Sequence, residues 1–287
     1  MAGVSGFDTI VMVDWSARSA PSPAKPTKDA IFIGIARDGF LASSYQRTRH
    51  AAMRFLTGLL DGELRAGRRV LAGFDFPFGY PRGFARAVTG SDDPLTLWAH
   101  LAEVIEDDDR NRNNRFDVAE DFNRLFPGVG PFWGCPPTRE TEVLPAKGSL
   151  RHGHGMAERR VVERELPRAQ PCWKLFTTGS VGSQVLLGLP HLHALRVHYG
   201  DALSVSPFQP ADTPIVLAEI YPGLIDAAIK RRVRDGEILD RAQVRLVARA
   251  FSRLPAAHLA TLLQEGDAEE GWILGLGAEN ALIAGLD

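Results

Sequence analysis

Three apolar runs end on an acid just before a turn: TIVMVD closes on Asp14, VLAGFD on Asp75 and IVLAE on Glu219. A carboxylate beside Val70, Leu71, Phe74 and Phe76 is costly to ionise in isolation, so it needs a cation, a proton or an arginine. Each acid follows a buried-strand pattern, and after Asp75 the residues Pro77, Gly79 and Pro81 stop the strand. In α/β sheets the strand ends open onto a ligand crevice, where acids from separate strands can meet. Each acid read alone also suits a helix cap or an arginine partner.

The surrounding pattern sets the fold class. Residues 8 to 17, 30 to 39 and 40 to 46 read as three antiparallel strands, with a tight turn at Asp38 and Gly39. Met53, Leu56, Leu59, Leu60 and Leu64 recur at helical spacing over 50 to 67, and 70 to 76 then forms a fourth strand. From about 82 to 170 a helix at 93 to 107 is followed by polar and breaker-rich stretches. Periodicity returns at 179 to 200, a helix expected to break near Pro190, then at strand 213 to 223 and helices 224 to 236 and 240 to 254. The expectation is one α/β domain over 1 to 287: a mixed five-stranded sheet, helices on both faces, and a large loop-rich helical insertion.

The formal net charge is -2, so the whole-chain field does not attract nucleic acid, and any such contact requires a local patch. No run approaches a membrane span and the N-terminus has no basic leader, so a cytoplasmic location is expected. Cys135 and Cys172 match no zinc or redox spacing and read as free thiols.

Converging carboxylates repel unless a cation sits among them, and oxygen-only ligation favours Mg²⁺ or Mn²⁺ over Zn²⁺. Such a centre suits phosphodiester hydrolysis of a nucleic acid or nucleotide, with Asp14, Asp75 and Glu219 as ligands. Candidate phosphate contacts are Lys174, the Asn114 and Arg115 pair that opens a helix, and Ser180 and Ser183 in the helix-opening loop TTGSVGSQ. KRRVR, at 230 to 234, offers a local basic patch or the wet face of a helix.

Taken in order, VMVDWSA, GFDFPFGYP, GSVGSQVLLGLP, LAEIYPG and EGWILG make the chain resemble a bacterial family of predicted RNase H-like nucleases, from about residue 8 to 276. The resemblance implies an RNase H-like fold with Asp14 on the first strand and Asp75 on the fourth. Its later acids fall on Glu219 and Asp240. Gln243, Ser206 and Gln209 stand where the family pattern has an acid, a tryptophan and an acid. The superfamily also implies an alternative: a non-hydrolytic nucleotide- or cofactor-binding protein, or an ATP-using phosphotransferase.

Overall fold

Alternation along the first strand divides the core into two layers. Val11 and Val13 pack on one side of the sheet, Ile10 and Met12 on the other. The computed structural model describes residues 6–287. Its strands are β1 (Thr9–Asp14), β2 (Ile31–Arg37), β3 (Phe40–Gln46), β4 (Val70–Phe74), β5 (Leu203–Val205) and β6 (Ile215–Glu219). Between β3 and β4 runs α1 (Arg49–Arg65); α2 (Phe84–Thr89), α3 (Pro94–Val104), α4 (Arg115–Asn123), α5 (Val161–Glu165) and α6 (Val181–Tyr199) separate β4 from β5. After β6 come α7 (Asp226–Lys230), α8 (Leu239–Ser252), α9 (Ala256–Leu262) and α10 (Glu279–Ala284).

The strand order is β3-β2-β1-β4-β6-β5. The β1-β2 and β2-β3 pairs are antiparallel, whereas β1-β4, β4-β6 and β6-β5 are parallel. Residues of α1, α3 and α6 cover one face; α8, α9 and α10 cover the other. This is a mixed α/β sheet of six strands, one more than the sequence indicates. The extra strand, β5, is three residues at the sheet edge, too short to show a period.

Two helices also depart from the sequence reading. α6 continues unbroken through Pro190, with Val185, Leu186, Leu187, Leu189, Leu192 and Leu195 buried along it. Packing of that apolar surface outweighs the backbone hydrogen bond lost at the proline. α7, by contrast, stops at Lys230, so most of KRRVR lies in the turn before α8.

The insertion is part of the core. Trp98, Leu101, Phe122 and Phe132 are buried in the same layer as Phe76 and Phe78. Backbone bonds join Trp133 to Trp173 and Leu175, bringing the segment after α4 against the start of α6. Cys135 and Cys172 are free and buried. Among the described residues no helix is long and apolar enough to cross a membrane.

Gly34 decides how closely α8 approaches the sheet. A Cβ there would lie 2.2 Å from the Val244 carbonyl oxygen, so only glycine lets the α8 backbone rest on β2. The N-terminal turn of α8, which carries Asp240, is placed by this contact.

Candidate active site

The register of the parallel strands determines which acids meet. Val13 pairs with Phe74, and Phe74 with Glu219. Residues directly opposite in a sheet share a face, so Glu219 leaves on the side of Val13 and Phe74, while Asp14, one step further, leaves on the other. Asp75 continues from β4, its N–H donating to the Val13 carbonyl at 3.0 Å. Asp14 and Asp75 are thus close, and both are half-buried.

Burial pushes the Asp14 carboxyl well above the ordinary carboxylate range, and the charges of Asp75, Asp240 and Asp29 push it further. Burial, then Glu219 and Asp240, raises Asp75 in the same way. Burial also raises Asp240, although its Oδ2 accepts a 2.8 Å bond from the Asp29 N–H. The structure therefore brings Asp14, Asp75 and Asp240 into one electrostatic cluster at the end of the sheet, on the side covered by α8.

What separates Asp14 and Asp75 from the buried glutamates is the lack of a partner. Among the described residues no hydrogen bond or ion pair takes up either side chain. The buried glutamates are all engaged. Glu63 is held by Arg37, Arg68 and Thr9. Glu269 and Glu270 accept backbone N–H bonds from Gly83 and Arg82, with Val161 donating to Glu270 as well.

Glu219, expected among the metal ligands, lies in an ion-pair network instead. Arg160 Nη2 donates to its Oε1 at 2.6 Å and Arg160 Nη1 to its Oε2 at 2.8 Å, while the Phe78 N–H reaches Oε2 at 2.9 Å. Arg160 Nε also holds Glu163, at 2.8 Å. Asp75, Glu219, Arg160, Val181 and Tyr221 line a pocket of about 50 Å³, room for water or an ion but not for a nucleotide. Sequence reasoning missed Arg160. Its local signal is Glu163 three residues on, and nothing near it announces Glu219.

The expected phosphate contacts are spread out. Lys174 Nζ donates to the Thr178 carbonyl at 2.7 Å and lies over the Trp133 ring. Arg115 is buried; its Nε donates to Ser183 Oγ at 2.8 Å and its Nη1 to Ser19 and Asn113. Burial, with Arg49 adding repulsion, lowers the Arg115 pKa to about 10. Asn114 ties to the end of α3 through Glu106 N–H and the Val104 carbonyl. Ser183 is buried and donates to Leu175, whereas Ser180 occupies the N-cap of α6 without a side-chain cap bond. None of these contacts involves the acid cluster. The segment after Asp14 does reach α6, since Gln184 Nε2 donates to the Trp15 carbonyl at 2.6 Å.

A second set of side chains lies beside that segment. Ligand atoms of His50, Asp107 and His191 fall within 4.8 Å of one another, a metal-like spacing that the strand-end acids do not show. Its carboxylate is already committed, however. Arg49 grips both Asp107 oxygens, at 2.6 and 2.5 Å, and His191 Nε2 lies 3.0 Å from Oδ2. The same Arg49 donates to the Ser16 and Arg18 carbonyls, so this group braces the chain leaving β1.

Fold and site together define an α/β protein with unpartnered carboxylates at the ends of adjacent parallel strands. Comparison with protein-family models, curated proteins and solved structures gives no match.

Proposed function

We propose that the chain is an RNase H-like, Mg²⁺- or Mn²⁺-dependent hydrolase of phosphodiester bonds, acting on nucleic acid or a nucleotide. The supporting observation is the pair Asp14 and Asp75: two half-buried carboxylates, close together and without a partner, in a protein that gives each buried glutamate one. The reading is supported by Asp14 closing β1 and Asp75 following the adjacent parallel β4, the first- and fourth-strand positions that the resemblance implies.

The donor type fits a hard divalent cation, because only carboxylate oxygens are offered, and a bound cation would draw together acids that do not stand at ligand spacing without it. Asp14 and Asp75 would bind it, and Asp240, oriented by the Asp29 N–H, would complete the shell or orient water. When bound, the cation supplies Lewis acidity toward a phosphoryl oxygen and a more acidic water. Glu219 acts through its neighbours: with Arg160 it fixes the backbone at Phe78, three residues past Asp75.

The test is hydrolysis of bis(4-nitrophenyl) phosphate, dinucleotides, DNA and RNA with Mn²⁺, comparing wild type with Asp14→Asn/Asp75→Asn. Turnover that persists in the double variant sinks the proposal. Stabilisation by a nucleotide without turnover favours the binding-protein alternative.

A further inference from the structure

Between residues 226 and 253 the chain carries eight basic and four acidic side chains, in a protein of formal net charge -2. The structure arranges much of this excess along α8. Arg234, Arg241 and Arg245, with Ser43 of β3 and the acids Asp235 and Glu237, line an open pocket of about 410 Å³, three cations against two carboxylates. Arg241 Nε donates to Ser43 Oγ at 2.8 Å, which fixes the guanidinium at the pocket. Further along the helix, Arg249 Nη2 donates to the Asp287 main-chain oxygen at 2.6 Å, and the nearby charges of Arg253, Arg232 and Arg245 add to burial in lowering its pKa.

Some of these cations are neutralised: Arg245 by Glu237, Arg232 by Asp287 and Lys230 by Asp226. Among the described residues, Arg231, Arg234, Arg241 and Arg253 have no ion pair, and all four are exposed. Arg241 adjoins Asp240 in the sequence, and Lys28 lies near Asp240, close enough to lower its pKa. The basic stripe therefore begins at the carboxylate cluster.

We propose that this stripe is a track for the phosphate backbone of a polynucleotide, running from Asp240 across Arg241 and Arg234 to Arg249 and Arg253. It rests on the hydrolase reading for its point of origin, and it names that site's substrate as a nucleic acid strand in place of a free nucleotide. At helical rise, Arg241 and Arg253 are roughly 18 Å apart along the axis, about five phosphate spacings of one duplex strand. An anionic membrane is the poorer partner. None of the exposed large apolar side chains falls within this segment, so nothing in it would insert.

The experiment compares wild type, Arg241→Glu/Arg249→Glu/Arg253→Glu and the matching triple lysine variant. Each is titrated with a fluorescent 20-base-pair DNA duplex across a salt series and assayed with bis(4-nitrophenyl) phosphate and Mn²⁺. The track predicts that charge reversal weakens duplex binding at least about tenfold and reduces the salt slope by about 3, while lysine keeps both. Hydrolysis of the small diester should be unchanged by the lysine triple, and a cooperative melt shows that the glutamate triple is folded. Undiminished binding by the glutamate variant overturns the track, as does a loss shared by the lysine variant. If wild type binds duplex through these arginines but hydrolyses no diester, the track stands and the hydrolase reading fails.

Discussion

Arg160 and Glu219 form a two-point ion pair inside the protein, with both partners buried and Glu163 completing the set. Removing the guanidinium leaves Glu219 and Glu163 buried with backbone N–H bonds as their remaining partners and no cation to balance them. Arg160→Met should cost about 3–5 kcal/mol of unfolding free energy, measured by urea denaturation. Glu219→Gln should cost less, because Arg160 retains Glu163, and it should keep the Mn²⁺-induced rise in melting temperature that Asp75→Asn loses. Equal loss of the Mn²⁺ response in both variants would make Glu219 a ligand after all.

The pair Asp14 and Asp75 sets a pH dependence. Both folded-state values lie above the ordinary 3.8, so their contribution to stability is fully present below about pH 4 and is lost as pH rises through the raised values. Without divalent metal, Asp14→Asn and Asp75→Asn should each melt higher than wild type at neutral pH. The advantage should vanish near pH 4. Millimolar Mn²⁺ should stabilise wild type and not the variants, and EDTA should reverse the gain. Thermal melts from pH 4 to 8 check this, and lower-melting variants at neutral pH without metal would contradict it.

Asp107 behaves in the opposite sense. Bonds from Arg49 and His191 outweigh its burial and lower its pKa to about 2. Its stabilisation is present above the ordinary value and lost as pH falls through about 2, at most about 2 kcal/mol for the carboxylate itself. Asp107→Asn should lower stability at neutral pH and flatten the acid limb of the denaturation profile. His191→Ala should leave the Mn²⁺ response intact. A metal response that disappears with His191 would instead place the metal in the His50, Asp107 and His191 group.

Gly34→Ala tests the placement of α8. The added methyl meets the Val244 carbonyl, a backbone atom that moves only if the helix moves. A loss of about 1–3 kcal/mol or more is expected, together with weaker metal binding as Asp240 shifts. Wild-type stability in a denaturant titration would show that the contact is looser than described.

Much of the sheet was legible because β1, β2, β4 and β6 are apolar runs between turn residues, and the amphipathic spacing of α1 and α8 locates the covering helices. Asp14 and Asp75 stood out for the same reason: a charge closing an apolar strand has few local explanations. The edge strand β5 was hidden by its three-residue length. The continuity of α6 through Pro190 depends on apolar neighbours brought in from α3 and the sheet.

Glu219 shows the boundary between the two kinds of information. The sequence by itself determined that three strands end in acids, because hydrophobic pattern and chain stops are local. Only the tertiary structure decided which of them remain unpaired. Register sets the face on which each carboxylate leaves the sheet, and a shift of one residue separates Glu219 from Asp14. Arg160, fifty-nine positions earlier, then neutralises Glu219 while Asp14 and Asp75 are left to each other. Charge compensation inside a protein is a long-range property, and no local spacing records it.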